Sequence, residues 1–364
     1  FYDIETFLEK NPEGNEVFVP GLVAFTYKVS VSDTDGSPFE NHFGEFLMYK
    51  MDLMEMIDEL LDSLNVRKRQ IRKEDICYEI IDPFLDGTKD VMSEFVDILE
   101  KITFKVHHCA YMRLNKRVSV ISFNGSKFDD LFLFASIVKK GEFCRQKLNT
   151  LSILEKGSKL LCISFCMTNK EEKISTQFRT QDLRNFLLTG SLSANAKSFD
   201  VPCQKLCFPH SLIDALRRNE VEETLESFPE YKYFEGFGGY LCSKEEYDEM
   251  KRKQEGTYDI KDIWSEYCCY DVIVLKQVYY SFMKSITSYF LPLLKKKFDP
   301  THKLTLPSLT NALCYLHMER TFENGVRIFA PTADFLRVTY DAVYGGHCQS
   351  NAIGTLPEPE NKTF

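Results

Sequence analysis

The chain opens with Phe-Tyr-Asp-Ile-Glu-Thr, where two carboxylates, Asp3 and Glu5, interrupt an aromatic, β-leaning segment at a spacing of two. Side chains alternate across a strand, so Asp3 and Glu5 share one face while Tyr2 and Ile4 share the other. Neighbouring like charges repel, and burying them unpaired is costly. Such a strand is either an edge with its acids in water, or it faces a site where a cation lies between them. The second arrangement requires further ligands from distant segments, and so constrains how the whole chain folds.

Strand-like and helix-like segments alternate through the first half, which predicts an α/β domain. "FYDIETF", "GLVAFTYKVSVS" and "NHFGEFLMY" read as successive strands separated by the turn chemistry of "NPEGNE" and "DTDGSP". "MDLMEMIDELLDSL" and "DVMSEFVDILEKI" carry helical apolar spacing, and "RVSVISF" is a strand leading into the helix "FDDLFLFASIVKKG". From "LSILEKGSKLLCISFCMT" to "KISTQFRTQDL" the pattern is of added antiparallel strands, with "EKGS" as a hairpin turn. A polar stretch, "EEYDEMKRKQEGTYD", reads as surface helix and loop, and "IKDIWSEYCCYDVIVLKQVYYSFMKSI" as one long helix with an apolar face. Beyond Pro292 the chain turns Lys- and Pro-rich, which places a domain boundary there: residues 1–290 form one domain and 291–364 a connection to another.

With 44% hydrophobic residues over 364 positions, a substantial core is available. No apolar run approaches the ~20 residues of a membrane span. The scattered cysteines lack the spacing of a disulfide scaffold and suit an intracellular, reducing compartment. A net charge of −9 offers no global attraction to nucleic acid. Local basic clusters at 66–73, 250–253 and 295–297 read chiefly as solvated surface.

Three further segments carry chemistry. In "SFNGSKFDDLF" an Asn-Gly turn follows a strand, and Phe128-Asp129 open the next helix. Strand-to-helix turns of this kind are where α/β proteins place active sites. In the long helix, Tyr267 and Asp271 stand four apart and share a face. Each residue also has a plainer reading: Asp129 or Asp130 as a helix N-terminal charge, Asn124 as a turn former, Tyr267 as core. A separate set, Cys203, Cys207 and His210 with Cys242, offers a zinc alternative, although its spacing is wider than that of common zinc pairs.

Asp-x-Glu on a first strand, Asn-x-x-x-Phe-Asp at a strand-to-helix turn and Tyr-x-x-x-Asp in a late helix, in this order, resemble the three exonuclease motifs of family B DNA polymerases, within the tyrosine subclass of DEDD exonucleases. "QKLCFPH" and "AVYGGHCQS" sharpen the resemblance toward the protein-primed members found in phages, adenoviruses and Polinton/Maverick-type elements. The resemblance implies a ribonuclease H-like domain with a mixed sheet over residues 1–290, then a partial, mostly helical connection to a polymerase domain. It implies a 3′-to-5′ proofreading exonuclease using two Mg²⁺ or Mn²⁺ held by Asp3, Glu5, Asp129 and Asp271, all hard oxygen ligands. Tyr267 would orient the attacking water and Lys205 would oppose phosphate charge. Thr6, Asn124 and Phe128 would hold the single-stranded 3′ end, with Phe128 as a stacking surface. Tyr344, Gly345 and Gly346, the Tyr-x-Gly-Gly-like motif, would touch template DNA. The implied partners are single-stranded and primer-template DNA and a terminal priming protein, with no membrane.

Two departures stand out. Asp182-Leu183 occupies the place of the family's Ser/Thr-Leu, which puts a DNA contact there in doubt. The polymerase signature Asp-x-x-Ser-Leu-Tyr-Pro is absent, so the sequence reads as a polymerase fragment without most of its palm and thumb. The alternatives are a free-standing DEDD exonuclease acting on RNA and an inactive nucleic-acid-binding remnant of a viral polymerase.

Overall fold

The computed structural model describes residues 1–28, 43–81, 90–108, 117–143, 149–156, 159–169, 174–187, 190–236, 239–254, 256–290, 303–321, 343–344 and 347–348. The opening segment forms β1 (Tyr2–Lys10), which folds back antiparallel on β2 (Glu16–Phe25). Then follow α1 (Phe43–Ser63), β3 (Arg67–Arg72), β4 (Asp75–Ile81) and α2 (Val91–His108). β5 (Arg117–Ser122) leads through the short turn Gly125–Lys127 into α3 (Asp129–Phe143). β6 (Asn149–Lys156), β7 (Lys159–Asn169) and β8 (Ile174–Asp182) precede α4 (Leu192–Ser198), α5 (His210–Arg217), α6 (Lys244–Lys253), α7 (Ile260–Phe290) and α8 (Leu306–Thr321).

Two open four-stranded sheets result. One runs β1-β2-β4-β3 and is antiparallel throughout. The other runs β5-β8-β7-β6, with β5 parallel to β8 and the remaining pairs antiparallel, as the alternating middle segment predicts. β1 lies beside β5, which brings the two sheets together at the N-terminal strand. Helices cover both faces. Tyr2, Ile4, Val23 and Phe25 enter a core with Leu53, Ile57, Phe95 and Leu133 of α1, α2 and α3. Phe7, Leu22 and Ala24 join a second core with Leu212 and Ile213 of α5 and Trp264, Cys268, Val272 and Leu275 of α7. The strand alternation of β1 therefore directs Asp3 and Glu5 toward α5 and α7.

α7 carries the second core because apolar residues recur along it at helical spacing; Trp264, Cys268, Leu275 and Val278 are almost wholly enclosed. It is strapped to the first sheet by charge. Arg67 Nη2 and Arg69 Nη2 of β3 meet Asp262 of α7 at 2.8 and 2.5 Å, while Arg67 Nε also meets the buried Glu79 of β4, within the sheet, at 2.7 Å. The basic run at 66–73 is thus largely a strand whose arginines are engaged within the fold, where the sequence suggests solvated surface. A second correction concerns "NHFGEFLMY": from Phe43 onward it belongs to α1, not to a strand. Phe43, Leu47, Met51, Met54, Ile57 and Leu61 run at steps of three and four, and this period prevails over the local aromatic content.

By its contacts the chain divides into two compact units, Phe1–Cys314 and Tyr315–Phe364. Residues 291–302, where the sequence places a boundary, and the basic run 295–297 lie outside the described residues. No helix among the described residues is long and apolar enough to cross a membrane.

The β1–β2 register slips between Glu5 and Thr6, opposite Gly21. A methyl group on Gly21 would stand 2.8 Å from both the Phe7 ring and the Trp264 indole, two enclosed aromatics with no room to yield. Gly21→Ala is therefore expected to destabilise the protein by about 1–3 kcal/mol through overpacking, measured by denaturant unfolding. An unchanged midpoint would show that α7 does not press on β2 at this point.

Candidate active site

Three segments converge over β1. Asp3 and Glu5 project from one face of the strand, and Glu5 is buried. Tyr267 and Asp271 occupy one face of α7, both almost fully enclosed. Asp129 is the first residue of α3 and is buried, whereas the adjacent Asp130 turns inward to accept hydrogen bonds from Tyr2 Oη at 2.6 Å and Ser122 Oγ at 3.3 Å. Lys205, in the extended segment before α5, places Nζ 2.5 Å from Asp271 Oδ2 and 5.0 Å from the Tyr267 ring centre.

The electrostatics are those of a site short of positive charge. Burial and then the neighbouring Asp271 and Glu5 hold the Asp3 carboxyl well above the usual range. Burial and Asp271 push Glu5 up to about 8. Asp129 is raised by burial and by Asp3, and Asp271 is raised by burial against the opposing pull of Lys205. Burial alone would lower the Lys205 ammonium, but Asp271, Asp3 and Glu5 together carry it above its ordinary value. Among the described residues, the buried Asp271 Oδ1 meets no hydrogen-bond partner. Ligand atoms of Asp3, Glu5 and Cys268 lie within 4.8 Å of one another. An orphaned carboxylate oxygen amid mutually repelling acids fits hard divalent cations such as Mg²⁺ or Mn²⁺. Burial, and then Asp271, raises the Tyr267 phenol well above its ordinary value, so it remains a neutral hydroxyl beside these acids.

The turn that carries Asp129 is braced by Asp182, the residue standing where a Ser or Thr is expected. Its carboxylate is 1% exposed and accepts from Asn124 N at 2.8 Å, Ser126 N at 3.2 Å, Ser126 Oγ at 2.5 Å and Arg184 N at 2.9 Å. Arg184 Nη1 in turn donates to Asn124 Oδ1 at 2.6 Å. Asn124 adopts the left-handed conformation (φ 65°) that an Asn-Gly turn favours, so its turn-forming role and its place at the site coincide. Phe128 packs edge-on against Phe132, and Thr6 sits half-buried at the register slip. Tyr344 pairs with His347 in a short antiparallel ladder of the second unit, and Gly345 and Gly346 lie outside the described residues.

Three neighbours escape the sequence motifs. His210 Nδ1 is 3.4 Å from Glu5 Oε2, and its ring stands edge-on to Tyr267 at 5.3 Å. The Trp264 indole N–H lies beside Glu5 and favours its ionised form, and Cys268 faces the Asp3 carbonyl at 3.8 Å. Trp264 and Cys268 were within reach of helical spacing, since they lie seven and three residues before Asp271 on the same buried side of α7. Nothing in the sequence around His210 signals Glu5. The zinc alternative is not assembled: His210 faces Glu5, Cys203 Sγ meets Gln277 at 3.5 Å, and Cys207 lies against Cys242.

The chain belongs to the organellar and viral type B DNA polymerases, whose sequence profile matches residues 109–360. It is 29% identical to a probable DNA polymerase of Neurospora intermedia over 197 residues, 53% of this chain and 18% of that protein. Over 273 residues it is 22% identical to the DNA polymerase of canine adenovirus serotype 1, covering 66% of this chain and 24% of the relative. The chain thus spans about a quarter or less of the length of these relatives. No solved structure matches it. The family resemblance drawn from the motifs is borne out. The matched stretch includes Asn124, Asp129, Lys205, Tyr267 and Asp271, while Asp3 and Glu5 precede it and reach the same site through β1.

Glu5 titrates near 8 in the fold against 4.5 in an unfolded chain. It therefore contributes stability that is full below about pH 4.5 and is lost as pH rises through 8. His210, lowered to about 4 by burial and then Lys205, works in the opposite sense, but only below its unfolded value of 6.5. In EDTA, the stability difference between wild type and Glu5→Gln should accordingly shift in favour of the variant between pH 6.5 and 8, and Mn²⁺ should reverse the shift. Melting curves across this range provide the check, and a pH-independent difference would contradict the assigned environment of Glu5.

Proposed function

We propose that residues 1–290 are a ribonuclease H-like, 3′-to-5′ proofreading exonuclease domain of a protein-primed family B DNA polymerase from a virus or mobile element. The observation that carries this reading is the convergence of Asp3, Glu5, Asp129 and Asp271 with a neutral Tyr267 and a charged Lys205 in a chain of this polymerase family. One antiparallel and one mixed sheet with helices on both faces are compatible with a ribonuclease H-like arrangement. Residues 291–364, with Tyr344, Gly345 and Gly346, would be the start of the connection to a polymerase domain and would meet template DNA. The corresponding partners are primer-template DNA and a terminal protein, in an intracellular, reducing setting.

In this reading the four carboxylates hold two Mg²⁺ or Mn²⁺, which when bound make water a nucleophile at neutral pH and offset charge on the phosphorus. Tyr267 offers its hydroxyl to orient the attacking water, because burial among acids keeps it protonated. Lys205 opposes the negative charge that grows on the phosphate oxygens. Thr6 and Asn124 hydrogen-bond the terminal nucleotide, and Phe128 stacks on a base. Asp182 has a different task from the family's hydroxyl residue: it shapes the turn from behind rather than meeting DNA, since its oxygens are already occupied.

The purified chain should shorten single-stranded DNA from its 3′ end in Mg²⁺ or Mn²⁺ and be inert in EDTA. Asp3→Ala or Asp271→Ala should lower the rate by several orders of magnitude, with little further loss when combined, as for residues acting as one unit. Tyr267→Phe should cost roughly ten- to a thousandfold while leaving affinity measured in Ca²⁺ nearly unchanged. Cleavage that persists in chelator, or that starts at 5′ ends, would overturn the reading. Full activity of Tyr267→Phe would move the water-orienting role to another group.

A further inference from the structure

Phe18 is 56% exposed on a paired strand. It lies on β2 opposite Leu8, in the arm of the β1–β2 hairpin that extends past the register slip at Glu5 and Thr6. Its ring is not isolated. The Phe18 and Phe128 centroids are 5.6 Å apart with the planes at 82°, and Phe128 continues edge-on to Phe132 at 5.1 Å and 81°. Phe128 directly precedes the buried Asp129, so this row of rings runs from Phe132 at the core, through the residue next to a site carboxylate, to Phe18 in solvent. Val17, 38% exposed, and Leu131, 48% exposed, extend the apolar character of the two segments that carry Phe18 and Phe128.

We propose that Phe18 and Phe128 form an aromatic corner that stacks the unpaired bases of a single-stranded DNA end approaching the carboxylates. The inference rests on the exonuclease reading and adds to it a base-contacting residue, Phe18, from outside the three motifs. Two perpendicular rings leave an open face on one and an edge on the other, a surface onto which a flat base can slide. The strand around Phe18, Glu16-Val17-Phe18-Val19, contributes an acid and no cation. Phe18 itself can therefore meet a base and not a phosphate, which would fall to neighbouring cations such as Lys10, opposite Glu16. Stacking is indifferent to base identity, which suits a site that must accept any mismatched terminus.

The test compares binding of short 3′-ended oligothymidylates in Ca²⁺ by wild type, Phe18→Ala and Phe18→Trp, each with an ordinary strand and with strands abasic at one position near the 3′ end. Phe18→Ala is expected to weaken binding of the ordinary strand roughly five- to a hundredfold, the loss of about one stacked base. Phe18→Trp should restore it. For one abasic position the penalty of Phe18→Ala should vanish, because the base it would have held is already missing. An equal penalty on ordinary and on every abasic strand would overturn the proposal and make Phe18 a backbone or packing contact, as would no penalty at all. A melting temperature for each variant separates lost stacking from lost folding, and Phe18→Trp keeps the test decisive if Phe18→Ala is unstable. Cleavage of ordinary strand by wild type in Mn²⁺ is measured alongside. If that fails, the exonuclease reading falls; if it succeeds while Phe18→Ala binds and cleaves like wild type, only the stacking role falls.

Discussion

The placement of α7 against the first sheet is the constraint on which the rest of the unit depends. The helix is held by shape, with Trp264 seated over the bare backbone of Gly21, and by charge, with Arg67 and Arg69 both reaching Asp262. Rotation about its own axis would withdraw Trp264 from Glu5, Tyr267 from the acids and Asp271 from Lys205 together, because all three face β1. The packing that fills the second core thus sets the register of the site. A truncated helix or a lengthened β2 side chain at position 21 would act on both.

The same packing creates an electrostatic debt. Burying Asp3, Glu5, Asp129 and Asp271 around the Lys205 ammonium leaves the acids favouring their protonated forms. A fold of this kind gives up stability for a function, as strained sites do elsewhere. Lys205 offsets part of the repulsion and keeps its own proton by doing so. Asp182 shows the opposite solution for a buried acid: it satisfies itself with backbone and hydroxyl donors of one turn and so becomes structural.

Much of this could be read from residue order. The period-two pattern of β1 and the period-3.6 pattern of α7 identified both elements and their facing residues, because each element is buried along one side and its sequence records that fact. The middle antiparallel strands were legible for the same reason. The segment from Phe43 was not, because its aromatic residues mimic a strand while its spacing is helical. β3 was hidden by its charges: arginines that reach into ion pairs look, in sequence, like arginines in water. At the site, pairs within one element, such as Tyr267 and Asp271, follow from spacing. His210 against Glu5 and Asp182 beneath Asn124 join distant segments, and only the three-dimensional course of the chain brings them together.

β1 supplies Asp3 at the start of the unit, whereas α7 supplies Asp271 near its end, so the centre is closed by contacts between the two extremes of a long stretch of chain. Closure across such a separation is slow, and it cannot occur on a ribosome until α7 has emerged. Asp3 and Glu5 must wait through the synthesis of both sheets with their partners not yet made. Assembly of the centre therefore reports completion of the unit: a chain interrupted anywhere before α7 could hold strands and helices in place, yet would carry two solitary acids on a strand.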